Sequence, residues 1–489
     1  MSRLPILALI AALALAPAVS AQPAAPPPVA EAIAPEALRA DFTDLYSRLR
    51  TAHIDLYAFT PRADLDRAFA ATLKGLDEPL TRSQAEVRFQ RFLALAKMGH
   101  IRIDVSRQPW EAYRAAGGKA FPLSLRVANG RVWVADAAVA GARRGDELIS
   151  LEGQPMARWL VRTGATVSAE TPYMRDSLLE YWFPRLLWQE IGPRDTYAVV
   201  LRRDGRRIAV TLPGVTRAEA TAFAAAQPPL LNLDAPLREA RVLPGGVAYL
   251  RPGPFYNAEA ASEADMYDSR AFTAFIDKAF EQFLAAGATD LIIDLRGNPG
   301  GDNAFSDPMI AWFADRPFRF FSRFKVKASP EAMAANQARI DHDPVTAGEV
   351  SQIYARLYAR ARPGEVVDFP MPMAQPRTGG RFTGRVWLLI DRQSYSNAVN
   401  VSALVQDYRF GKVMGEATSD MATTFGAMEQ FTLPRTGIVV GFPKARIVRP
   451  SGDPRPRGVT PDIPIASPIV ATPDDPMLRA AIRRITTPQ

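Results

Sequence analysis

The 489-residue chain carries 59 Lys and Arg against 51 Asp and Glu, a formal +8 at neutral pH. The basic residues are interspersed with acidic ones and no basic run is long, which describes a solvated surface and argues against nucleic-acid binding. With zero Cys and 3 His, no two of them at a metal-ligand spacing, a disulfide framework, a thiolate nucleophile and a zinc or iron site are excluded, and neither metal nor cofactor is expected.

After Met1-Ser2-Arg3, an apolar run from Leu4 to Ala16 precedes Pro17 and the small residues Ala18-Val19-Ser20-Ala21. That pattern predicts a secretory signal over residues 1–21, cleaved after Ala21. The competing reading, a membrane anchor, is disfavoured because the run is shorter than the roughly 20 residues that span a bilayer. No later stretch is long and apolar enough to cross one, so no stable membrane insertion is expected after cleavage, and the mature chain is expected to be periplasmic or secreted. A large domain dispenses with disulfides because its core suffices.

Residues 22–34 read as a Pro/Ala-rich linker that cannot bury a core. An N-terminal helical domain is predicted over 35–115. In it Leu38, Phe42, Leu45, Tyr46 and Leu49 share one helical face, and Leu65, Phe69 and Leu73 repeat the pattern. Another helix starts at Thr81, and its stripe of Val87, Phe89, Phe92, Leu93 and Leu95 leads into Gly99-His100. Ile101-Arg-Ile-Asp-Val105 alternates and predicts a strand.

Short alternating runs between Phe121 and Leu212, among them Gly145-Asp-Glu-Leu-Ile-Ser-Leu-Glu-Gly153, resemble a PDZ domain over 118–215, a β-fold offering an open edge to an extended peptide. A generic β-rich spacer is the other reading. The Trp, Tyr and Leu-rich stretch 170–192 predicts a helical insertion in it. After a Pro/Ala-rich link near 213–236, strands and helices alternate over 240–475, which predicts a layered α/β domain. Its predicted parts include the amphipathic helix from Phe272 to Ala285 and the buried strand Asp290-Leu-Ile-Ile-Asp-Leu295.

Two stretches carry the chemistry. Val386 to Ile390 is an unbroken apolar run of a strand buried on both faces, and from Ala398 the apolar spacing turns helical. Between them stands Ser394-Tyr395-Ser396-Asn397. A hydroxyl there is held above the sheet, next to the free N–H groups of a helix start that can receive developing negative charge. Ser and Asn are also ordinary helix N-caps, and the flanks lack Gly-x-Ser-x-Gly. The second stretch, Asp294-Leu-Arg-Gly-Asn-Pro-Gly-Gly301, is a glycine-rich turn after a buried strand. It brings bare N–H groups close to a ligand or simply makes a tight turn; it is neither a phosphate loop nor a dinucleotide fingerprint.

Together with Gly415-Glu-Ala-Thr418 and Gly458-Val-Thr-Pro-Asp462, these stretches resemble the tail-specific (C-terminal processing) serine protease superfamily, in its branch of tricorn cores and interphotoreceptor retinoid-binding proteins. The resemblance implies a crotonase-like (ClpP-like) α/β catalytic domain with an N-terminal helical domain and an inserted PDZ-like β domain. It implies an exported serine peptidase acting on peptides or proteins through an acyl-enzyme. The family's nucleophile falls on Ser396, and its oxyanion donors on the N–H of Asn397 and of Gly300 or Gly301. Members with a Ser/Lys dyad place their Lys where this chain has Met421, and Lys412 belongs to a helix-to-strand turn, so the dyad is not expected. The tricorn-like branch draws a His from a Gly-His ending, here His100, as general base. His53 is expected to pack. The branch's orienting Glu aligns with Arg455, which leaves Asp453 as the candidate acid. A catalytically decayed ligand- or peptide-binding protein of the same fold is the alternative. An acyl-CoA-processing crotonase relative is a third reading, set back by the signal and the PDZ-like insert.

Overall fold

The chain folds as a mixed α/β protein. The structure, a computed structural model, describes residues 32–226, 238–260, 264–342, 348–470 and 474–487. The signal sequence, the linker up to residue 31 and residues 227–237 of the Pro/Ala-rich link lie outside the described residues. Within that link, Arg217–Ala226 is a helix. Among the described residues no helix is long and apolar enough to cross a membrane.

The sheet that positions the candidate nucleophile has six strands, in the order Ile463–Pro464, Lys412–Gly415, Arg385–Ile390, Asp290–Asp294, Val247–Arg251 and Glu239–Leu243. All neighbours are parallel except the last pair. The two central strands are covered on both faces. Leu291, Ile293, Leu388 and Ile390 face one core, with the helices Arg270–Ala285 and Asn397–Tyr408, whereas Ile292, Trp387 and Leu389 face another, with the C-terminal helix Pro476–Thr486. Hence both strands read as unbroken apolar runs. A second, antiparallel sheet orders Val366–Asp368, Arg323–Lys327, Val439–Val448 and Thr424–Thr432.

The N-terminal helices Pro35–Ala52, Arg62–Lys74 and Arg82–Ala94 form a core of their own, but not an independent one. Phe425, Phe431, Val440 and Phe442 of the second sheet are in it, as are Met174, Leu178 and Leu179 of the helix Pro172–Ile191. The third helix opens on a capping box, Thr81 and Gln84 satisfying each other's backbone N–H groups. His53 is packed against Phe425, with ring centroids 5.2 Å apart.

The stretch Ile101–Val105 is not a strand. Only Arg102 bridges, to Gly441, and the neighbouring N–H groups are taken locally or by a side chain: Ile101 donates to the Met98 carbonyl, Val105 to the Ile103 carbonyl and Ile103 to Gln90 Oε1. A helix, Arg107–Ala115, follows. The inserted module is an antiparallel sheet ordered Leu123–Ala128, Arg131–Ala137, Glu147–Leu151, Thr196–Arg203 and Arg206–Pro213, against which the helix Pro172–Ile191 packs.

Phe280 is fully buried and stacks on Trp312 at 5.1 Å. Phe280→Ala is expected to cost about 3–5 kcal/mol of stability, read as a lower denaturant midpoint by tryptophan fluorescence.

Candidate active site

The strand Arg385–Ile390 ends at Asp391, whose Oδ1 accepts the N–H groups of Gly297 (3.1 Å), Gln393 (2.9 Å) and Ser394 (3.0 Å). This one carboxylate ties the glycine turn to the loop before Ser396. Ser394 is fully buried and its Oγ donates to the Leu295 carbonyl at 2.7 Å, so its hydroxyl is spent on structure.

Ser396 is different. It occupies the N-cap position of the helix Asn397–Tyr408, at φ 52° and ψ −119°, and its side chain makes no capping hydrogen bond. Non-glycine residues adopt such a backbone only where the surroundings over-determine it. The hydroxyl is therefore presented rather than consumed. The Ser396 N–H donates to Asp420 Oδ2 at 2.6 Å.

The glycine turn lies directly against this junction. Gly300 has φ +86°, and a Cβ there would stand 2.6 Å from the Asn397 nitrogen and 2.8 Å from Ser396 Cβ, so only glycine permits the approach. Asn298 holds the turn: its Oδ1 accepts the Gly300 N–H at 2.9 Å, its Nδ2 donates to the Gly253 carbonyl at 2.7 Å and its own carbonyl accepts from Tyr395 at 2.9 Å. The Gly300 N–H is thus engaged, whereas among the described residues the N–H groups of Gly301 and Asn397 have no acceptor. The Asn397 side chain is anchored on Ser306 Oγ at 2.9 Å.

The loop is also braced from the inserted module, by residues that gave no signal in the sequence. Glu180 of the helix Pro172–Ile191 is buried and accepts from Arg392 (3.0 Å), Gln393 Nε2 (3.1 Å), Arg126 (3.4 Å) and the Val127 N–H (2.8 Å). Arg392 also donates to the Val127 carbonyl at 2.8 Å and to Glu416. At Val127, therefore, both backbone groups of the outer strand Leu123–Ala128 are engaged, the N–H by Glu180 and the carbonyl by Arg392.

His100 comes from the other side of the fold. Arg102 and Gly441 exchange backbone hydrogen bonds of 3.1 and 2.8 Å, which pins the Gly99-His100 turn to the second sheet. The imidazole is buried and stacks on Tyr395, the neighbour of Ser396, with centroids 5.8 Å apart and planes 23° from parallel. Among the described residues no hydrogen bond joins His100 to Ser396, and the buried Nδ1 has no partner. Burial lowers the imidazole pKa; the Arg102 charge lowers it further and the Asp420 carboxylate opposes both. The outcome favours the neutral ring that a general base requires.

Two acids that sequence reasoning did not single out face this histidine's cluster. Asp420 is fully buried and accepts from Ser396 and, at 2.8 Å, from its neighbour Met421. Burial pushes its carboxyl up, against the pull of His100 and those two N–H groups. Glu170 lies beside Gly99, its carboxyl pushed up to about 8 by burial and then by the Asp420 charge. Asp453 is not in this cluster. Its carboxylate is taken by Arg455 (2.8 and 2.7 Å) and Arg457 (2.8 Å), whose bonds hold it below the usual range. Asp453, the candidate acid of the sequence, is thus engaged by arginines of its own loop, and among the described residues no hydrogen bond joins it to His100. Met421 is buried at the position of the absent Lys, Lys412 is exposed, and no group of residues able to hold a metal occurs among the described residues.

A serine hydroxyl on a positive-φ turn from strand to helix, a glycine turn packed against it, unengaged N–H groups in both segments and a buried histidine from another part of the chain are the parts of a serine hydrolase site. Residues 256–465 match the model of peptidase family S41, and the site they carry is that of a serine-type peptidase. No curated protein matches it. Among solved structures, mature CPAF aligns with a TM-score of 0.61 and 16% identity over 88% of this chain and 92% of its own. Mature CPAF complexed with lactacystin aligns at 0.60 and 16%, over 88% and 94%. The photosystem II D1 C-terminal processing protease aligns at 0.44 and 17%, over 88% and 93%. At such identities the CPAF likeness speaks for the fold alone.

Replacing Glu180 with Gln leaves two buried guanidinium groups short of a counter-charge. Breaking a buried ionic contact in this way costs about 3–5 kcal/mol. Glu180→Gln is expected to lower the melting temperature and slow peptide turnover together, measured by thermal unfolding and by initial rates on a denatured protein substrate.

Proposed function

We propose that this chain is an exported serine peptidase that hydrolyses peptide bonds in proteins or peptides through an acyl-enzyme on Ser396, with His100 as general base. The observation that carries this reading is the Ser396 hydroxyl, free of any capping bond, on a junction against which the glycine turn is pressed, with the N–H groups of Asn397 and Gly301 unengaged. In the reading, Ser396 Oγ attacks the scissile carbonyl while its proton passes to the imidazole. The carbonyl oxygen, now an anion, receives the N–H groups of Asn397 and Gly301; each such donor contributes about 3–4 kcal/mol to the transition state. The C–N bond then breaks, the imidazolium protonates the leaving amine, and a water molecule repeats the sequence to release the acid. Asp420 serves twice, by fixing the Ser396 backbone and by placing negative charge where the imidazolium forms.

The domain reading accompanies this function. We take the parallel sheet with its covering helices as crotonase-like and the inserted sheet as PDZ-like, and the apolar N-terminus supports export to the periplasm or the exterior. The Ser396 and His100 side chains close to hydrogen-bond distance on substrate binding, since apo catalytic contacts are commonly long.

Fluorophosphonate labelling of the purified mature protein tests the reading. Wild type is expected to label once per chain, with Ser396→Ala and His100→Ala both silent. A folded wild type that stays unlabelled between pH 6 and 9 would instead favour a binding protein of the same fold.

A further inference from the structure

The cluster around His100 contains one buried donor and one buried carboxyl that have not found each other. Nδ1 of His100 has no hydrogen-bond partner, and neither oxygen of Glu170 has one. Both are withdrawn from water, and leaving such groups unmade disfavours the folded state. The Glu170 carboxyl lies against Gly99, the residue before His100. A Cβ on Gly99 would stand 2.4 Å from Met174 Cε and 3.1 Å from Glu170 Oε2, so a residue without one leaves room for both side chains beside the histidine. The amides of Gly99 and of Glu170 itself face the carboxyl without reaching hydrogen-bond geometry. The other carboxylate of the cluster is already committed, since the oxygens of Asp420 hold the N–H groups of Ser396 and Met421.

We infer that Glu170, delivered by the inserted module, is the positioning residue for His100: its carboxylate accepts the Nδ1–H, fixes the tautomer and leaves Nε2 to take the proton of Ser396. This rests on the peptidase reading above and deepens it. The pairing makes the inserted module part of the active site, because the acid enters from the segment that leads into the helix Pro172–Ile191, whereas the base and the nucleophile come from elsewhere in the chain.

The inference carries a pH signature. The groups facing the pair are Asp420, Arg102 and the stacked Tyr395, with Asp104 beyond them. Unpaired, Glu170 is held protonated up to about 8 by burial and by the Asp420 charge, while burial holds His100 neutral. Activity should thus rise as Glu170 gives up its proton, a limb that belongs to Glu170 and not to the histidine and that the bond from Nδ1–H draws below the unpaired value of about 8.

Two measurements test this. Fluorophosphonate labelling rates between pH 6 and 9 are expected to rise in wild type along a limb below about pH 8. They should fall about 100-fold or more and lose that limb in Glu170→Gln, by analogy with serine proteases whose orienting carboxylate is made an amide, and partly recover in Glu170→Asp. A Glu170→Gln protein that labels at the wild-type rate with the wild-type pH profile overturns the inference. Nitrogen-15 NMR of histidine-labelled wild type, assigned with His100→Ala, is independent of whether any Glu170 variant folds. A His100 ring protonated at Nδ1, with that proton far downfield and slow to exchange, supports the pairing, and the Nε2–H tautomer contradicts it. If wild type fails to label at all, the peptidase reading falls, yet the NMR result still decides the contact.

Discussion

The hydrogen bond from the Ser396 N–H to Asp420 is the contact on which the site depends. A serine at φ 52° and ψ −119° sits in a sparsely populated region, at a cost on the order of 1–3 kcal/mol. It is kept there because the chain on either side has no freedom left. Asp391 gathers three N–H groups from the loop and the glycine turn, Asn298 holds that turn from beneath, and Glu180 grips Arg392 and Gln393 from the inserted module. Each of these anchors is a buried polar group satisfied by more than one partner, which is the condition under which such groups specify geometry instead of merely costing stability.

The same logic explains why the site is shared among parts of the chain distant in sequence. A single α/β layer carries the candidate nucleophile and candidate oxyanion donors, since both stand at the carboxyl ends of adjacent parallel strands. The candidate base, His100, sits on the helical segment, held by the Arg102 bridge to Gly441, and the acids of its cluster come from the strand-connecting loop and from the insert. A site built this way is assembled only when the helical core, which includes strand residues Phe425 and Phe442, is closed. Packing and catalysis are then one equilibrium.

The central parallel strands and the serine were legible in the sequence because the signals are local. The uninterrupted run Val386–Ile390 can only be a strand covered on both sides, and a hydroxyl at its end precedes a helical spacing. His100 stood out only through the family resemblance, since a lone histidine at the end of an apolar helical stripe reads equally as a packed one. Asp420 and Glu170 were not legible, because what makes them special is burial beside groups far away in the chain; in sequence one is an acid among small polar residues and the other precedes an ordinary helix start, Thr171-Pro172. Ile101–Val105 misled for a related reason, since its alternation is real but its N–H groups are claimed by the Gln90 side chain and by the carbonyls of Met98 and Ile103. Asp453 attracted attention by position alone, and the arginines two and four residues on had already engaged it.

The central claim is that Ser396 forms a covalent acyl intermediate. Rapid mixing of the mature protein with an activated peptide ester, followed by acid quench and peptide mapping, tests it directly. The account predicts a burst of alcohol product equal to the enzyme present and an acyl adduct on the peptide that contains Ser396. Turnover without a burst, with any adduct on another residue, would contradict it.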